Sequence, residues 1–120
     1  IKDGPQTPQQ VKGIFQLKRK PGWSLEDYRK YWIDVHGPIV CELPGLQRYV
    51  QCHTIDAAYR YAEPKWDGVA QLWVEDLAAW DKMVNSKEFI EGGWADGAKF
   101  LDQSVITNFM AQEHQVKWPA

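Results

Sequence analysis

Cysteine is scarce in this chain, and the two present, Cys41 and Cys52, sit in unrelated contexts. Two thiols are too few for a disulfide framework, so an apolar core must hold the fold. Both read as reduced core residues of a cytoplasmic protein, with a single bridge as the alternative. An excess of one charge is missing too. Fourteen basic against sixteen acidic residues give a net charge of -2, with no basic cluster to follow a phosphate backbone, which argues against nucleic acid as a partner. No apolar run approaches the ~20 residues that cross a bilayer, so no membrane contact is expected. Gly92-Gly93 and Gly97 do not follow the strand-to-helix pattern of a phosphate loop, and no serine sits in a nucleophile elbow. His36, His53 and His114 are far apart, without a His-x-x-x-His or Cys-x-x-Cys pair, so neither a metal nor another cofactor is expected.

Tryptophan is abundant instead, with seven in 120 residues. That much flat apolar area suits a core plus a subunit interface, where Trp is enriched. It equally suits an aromatic-walled pocket for a planar organic ligand. With 44% hydrophobic and 25% charged residues, the composition is that of one ordinary globular domain.

Residues 1–10 carry Pro5, Pro8 and three glutamines and read as a loose N-terminal arm. Val11 to Lys18 is a first strand, ended by the turn at Pro21-Gly22. Ser24 and Asp27 form an S-x-x-D capping box that starts a helix near Leu25. Tyr28, Trp32 and His36 then recur every four residues, with Leu25, Val35 and Ile39 beside them, so they are expected to share a face. Pro38 has no N–H and crowds the Asp34 carbonyl, so the helix should kink or restart at Gly37-Pro38.

Leu46 to Ile55 is a strand whose parity separates Arg48, Val50 and Cys52 from Tyr49, Gln51 and His53. A loop over 56–65 leads to a third strand from Asp67 to Val74. Asp76 caps a helix through Trp80 and Val84. Short helical pieces over 86–101 precede a fourth strand over 104–112, and 113–120 is a tail. The order is β-α-β-β-α-β, the ferredoxin-like split βαβ pattern of an α+β domain spanning residues 11–112. Two helices cover one sheet face only, and the strands carry apolar residues on both parities, so a homodimer is expected. Its association should be insensitive to salt.

The turn Lys18-Arg19-Lys20-Pro21-Gly22, Tyr28-Arg29-Lys30-Tyr31-Trp32, His36-Gly37-Pro38, Leu43-Pro44-Gly45-Leu46 with Arg48-Tyr49, and Trp66-Asp67-Gly68-Val69-Ala70 occur in this order. Together with the element order, they resemble the EthD-like family of the dimeric α+β barrel superfamily over about residues 11–112. The resemblance implies a homodimer whose sheets pack into a barrel, with a ligand cavity between each sheet and its helices. It also implies that His36 corresponds to the family's helix histidine and Tyr49 to a recurrent strand tyrosine. Superfamily members include muconolactone-type isomerases, polyketide dehydratases and cyclases, and cofactor-free monooxygenases.

His36, Tyr49 and His53 are therefore the candidate catalytic residues. His36 would shuttle a proton, Tyr49 would donate to an enolate-like oxygen, and His53, on strand parity alone, would be a second acid or base. Each has a plainer alternative as a packed, hydrogen-bonded core residue. Gln51 is the candidate for orienting a substrate carbonyl, and Tyr28, Trp32 and Trp73 are the candidate pocket walls. Asp67 would either orient a histidine or face water, and Cys41 would be inert packing rather than a nucleophile. The leading reading is a cofactor-independent lyase or isomerase, of dehydratase-like proton transfer, on a small cyclic or aromatic-type carbonyl compound. A cofactor-free monooxygenase and a non-catalytic ligand- or haem-binding module are the alternatives, His36 or His53 serving as axial ligand in the last.

Overall fold

Four antiparallel strands form one sheet in the order β2-β3-β1-β4, with the helices on one face. The structure, a computed structural model, describes residues 1–4, 7 and 9–114. The strands are β1 (Val11–Leu17), β2 (Arg48–His53), β3 (Gly68–Val74) and β4 (Thr107–Ala111). The helices are α1 (Leu25–Tyr31), α2 (Gly37–Cys41), α3 (Leu77–Val84) and α4 (Ala95–Phe100). Wide π-helical turns precede α2 (Trp32–His36) and α4 (Glu88–Trp94). The chain thus has the ferredoxin-like α+β order expected of it. The 56–65 loop contains a short 3-10 turn, Asp56–Tyr59.

Alternation builds the layers. In β1, Val11, Gly13, Phe15 and Leu17 are buried while Lys12, Ile14 and Gln16 between them are half-exposed, as a pleat covered on one face requires. Ala70, Leu72 and Val74 continue that core from β3. Two glycines let the helices come close. A Cβ on Gly68 would lie 2.6 Å from the Trp32 ring, and one on Gly13 would lie 2.0 Å from the Trp80 ring. Each helical layer therefore rests a tryptophan on a gap in the sheet, an approach that a larger side chain would prevent.

Several expectations need correction. Residues 1–4 are not loose: Lys2 pairs with Tyr49 by backbone hydrogen bonds in both directions, and its Nζ donates to the Leu46 carbonyl at 2.8 Å. Val116 and Trp118 of the tail lie outside the described residues. Cys41 is half-buried, but Cys52 is exposed on the sheet face away from the helices, so only one thiol touches the core. Asp67 neither faces water nor meets a histidine. Fully buried, it accepts from the Arg19 backbone (2.8 Å), the Arg19 guanidinium (2.7 Å) and the Tyr59 hydroxyl (2.6 Å), which ties the end of β1 to the start of β3.

Trp73 also departs from its expected place. It alternates with Leu72 and Val74, so it points to the far face, where Lys12 and Arg48 lie over its ring at 5.0 and 4.6 Å. Trp32 packs on Gly68 from the helix side. The two tryptophans cannot wall one pocket. The far face is mixed rather than purely apolar, with Phe109 paired beside Ile14 near these cations.

Candidate active site

The capping box forms as expected: the Ser24 hydroxyl accepts from the Asp27 N–H at 3.0 Å and starts α1. Seven residues later the helix widens. The Gly37 N–H reaches back five residues to the Trp32 carbonyl, and Pro38 follows with no N–H to give. In a regular α-helix, residues five apart point about 140° away from each other. The wide turn brings such pairs into line, and Tyr31 and His36 consequently reach the same carboxylate.

That carboxylate is Asp96, on α4. It accepts from the Tyr31 hydroxyl at 2.7 Å, and its Oδ2 lies 2.8 Å from His36 Nδ1. Asp96 and His36 are both buried, and the Phe100 ring packs against the imidazole with 5.0 Å between centroids. Burial pushes His36 below its ordinary 6.5, and the hydrogen bond and charge of Asp96 oppose this only in part. Burial would raise Asp96, yet the hydrogen bonds from Tyr31 and His36 hold it below its ordinary 3.8. Burial and the bond to Asp96 push Tyr31 up to about 12. Near neutral pH the pair is therefore a neutral imidazole donating Nδ1–H to a carboxylate. Nε2, with its lone pair, has no protein partner among the described residues.

His36 lines a cleft of about 550 Å³, open mouth included, between the sheet and the helices. Its interior has room for only about four waters. Trp32, Tyr49, Leu72, Phe89 and Trp94 are among its walls, and among the described residues no Lys, Arg, Asp or Glu lines it. The interior fits a small neutral ring, and a larger ligand would extend past half-exposed Trp94.

His36, Tyr49 and Trp32 thus meet at one cavity. Tyr28 does not line it. Fully buried behind Trp32, with ring centroids 5.6 Å apart, its hydroxyl has no partner among the described residues and burial pushes its pKa far up. His53 stays outside as well, its ring tilted against that of Trp32 with 4.3 Å between centroids, and its Nε2 lies 3.0 Å from Gln51 Oε1. Gln51 Nε2 donates to the Trp32 carbonyl (2.9 Å) and to the Tyr49 hydroxyl (2.8 Å). Burial pushes the Tyr49 phenol far up, and donation from Gln51 moderates this. Among the described residues, no cluster of three or more His, Cys, Asp or Glu is arranged to hold a metal ion.

The pattern of an EthD domain matches residues 20–104, most of the chain and all the site residues just described. The chain belongs to the EthD family. No curated protein matches it in sequence. An EthD family protein from Bacillus halodurans superposes with a TM-score of 0.71 at 17% identity, covering 88% of this chain and 99% of that one. A DABB family protein with a ferredoxin-like fold from Mesorhizobium loti gives 0.65 at 11%, over 88% and 98%. SnoaB, a cofactor-independent oxygenase from Streptomyces nogalater, gives 0.62 at 11%, over 90% and 96%. These likenesses establish the dimeric α+β barrel fold for this EthD domain. Two further neighbours of the fold, from Thermobifida fusca and Bacteroides fragilis, are described as dimeric. Among the described residues, no helix of this EthD domain is long and apolar enough to cross a membrane.

The shifts of the two site histidines make stability depend on pH. His53, like His36, is held below 6.5, by burial first and then by the charge of Arg29. As pH falls through 6.5, the unfolded chain takes up protons that the folded chain refuses. Stability is therefore fully present above that value and declines below it, until the folded imidazoles titrate. Urea melts between about pH 7.5 and about pH 5.5 should show a falling midpoint, and a His36→Gln/His53→Gln double variant should flatten the fall. Identical slopes in the two proteins would refute the shifts.

Proposed function

We propose that this EthD protein is a lyase or isomerase that moves a proton on a small, neutral cyclic or aromatic-type carbonyl compound. The observation that carries the reading is the Asp96–His36 pair at an uncharged cavity. A carboxylate on Nδ1 fixes the tautomer in which Nε2 is a base, and the low pKa keeps that base free near neutral pH. His36 would take the acidic proton beside the carbonyl. Tyr49 would hydrogen-bond the oxygen that gains charge, and the apolar walls would limit competition from water. With no Lys or Arg among the described residues of its lining, the cavity offers no ion-pair partner to an anionic substrate. The test is proton–deuterium exchange at the acidic C–H of small cyclic ketones and diketones in D₂O, followed by NMR. Absence of enzyme-dependent exchange across such a panel would count against the proposal.

A second reading is favoured by the likeness in fold to the oxygenase SnoaB. The same proton removal leaves a carbanion that can reduce oxygen directly. Oxygen uptake coupled to substrate loss would select this outcome, and turnover unchanged under argon would select the first. The protein would work in a reducing, cytoplasmic setting, a reading its two free thiols support.

The working form would be a homodimer joined through the far sheet face, as the dimeric neighbours and that face's apolar residues support. Light scattering should give twice the 13.9 kDa of one chain. Because Lys12 and Arg48 put like charge on that face of both copies, salt should strengthen association modestly rather than leave it untouched. A mass of one chain at micromolar concentration would refute the dimer.

A further inference from the structure

The Gln51 amide has only one orientation that satisfies its neighbours. One of its contacts is the Trp32 carbonyl, which can only accept, so the atom 2.9 Å away must be the NH₂ group. The second proton of that group then goes to the Tyr49 oxygen, 2.8 Å away. The amide oxygen faces His53 Nε2 and must accept from it, which fixes the His53 tautomer. Tyr49 is therefore an acceptor towards the protein. With the Gln51 N–H on its oxygen and no protein acceptor for its proton among the described residues, Tyr49 can give that proton only to the cavity it lines.

We propose that His53, acting through Gln51, is a positioning residue that holds the Tyr49 phenol as a hydrogen-bond donor to a ligand carbonyl. This deepens the proposed function by assigning the carbonyl seat, and it rests on that reading for the identity of the reaction only. Hydrogen bonds in a chain polarise one another, so each N–H given up the line makes the Tyr49 O–H a better donor. The His53 ring does this from outside the pocket, without touching substrate. A ligand oxygen seated on Tyr49 must be an acceptor, which selects carbonyl groups at that point of the cavity.

The test uses cyclohexanone as probe and the infrared carbonyl band of the bound ketone as readout. In the wild type the band should move to lower wavenumber than in water-free solvent. Tyr49→Phe should abolish the shift, and His53→Phe, which keeps a ring against Trp32, should reduce it. His36→Ala should retain it. Equal shifts in His53→Phe and wild type would overturn the positioning role. An unshifted band in wild type, or no binding at millimolar ketone, would overturn the donor assignment. Circular dichroism melts confirm that each variant is folded. A normal band shift without deuterium exchange would refute the proposed reaction and leave the carbonyl seat standing.

Discussion

Replacing His36 with alanine is expected to lower turnover about 10²–10⁴-fold, the loss that follows removal of a positioned acid–base group. The chain should still fold. Its neutral imidazole leaves a cavity beside Phe100 rather than an unpaired cation, and Asp96 keeps the Tyr31 hydroxyl at 2.7 Å and the Lys99 ammonium at 3.6 Å. Deuterium exchange into the substrate should disappear together with turnover, because both pass through the same base. Substrate affinity should change far less, since Tyr49 and the apolar walls remain. A His36→Ala protein with wild-type exchange would show that the imidazole is a packing residue.

The second large effect is expected at Asp96, and its size should depend on what replaces the carboxylate. Asparagine is nearly isosteric but can turn its NH₂ group toward Nδ1. The imidazole then carries its proton on Nε2 and can no longer act as a base toward the cavity. Where a carboxylate orients a catalytic histidine, that exchange costs about 10⁴-fold, and a loss of this order is expected for Asp96→Asn. Alanine imposes neither tautomer and should cost less. The pair of variants separates tautomer control from packing, because packing alone predicts the larger loss for alanine. Turnover of the two proteins at one pH is a sufficient measurement. The reverse ranking would refute the role assigned to Asp96.

Local rules made much of this architecture readable. Ser24 and Asp76 announce their helices because each side chain satisfies an amide that the helix leaves open, and both caps form. Alternation placed Tyr49, Gln51 and His53 on one face. It also placed Trp73 with Leu72 and Val74 in a strand apolar on both sides, and there alternation carries no information about which face meets the helices. Four-residue spacing put Tyr28, Trp32 and His36 on one buried face, and all three are buried. The same spacing rule failed for Val35, which is exposed, since a wide turn breaks the period it assumes.

Asp96 was not legible. It lies 60 residues from its histidine, in a stretch broken by glycines, and only packing of α4 beside the first helical layer brings the two together. The difference between His36 and His53 was equally hidden. Both are imidazoles beside aromatic rings, and only the acceptor offered to each nitrogen separates the proposed base from the proposed prop.

The turn at Trp32–His36 also governs how roles can be carried between relatives. It fits five residues where an ordinary turn fits about four, so a helix without it would present the counterpart of His36 one position earlier. An ungapped alignment through this segment would then match His36 to the residue after the true counterpart, and every position up to the next loop would be displaced with it. At identities of 10–17% such a slip leaves almost no trace in the score. Transfer of function onto or from this chain is best anchored on Tyr31 and Asp96, whose shared hydrogen bond marks the correct phase of the helix.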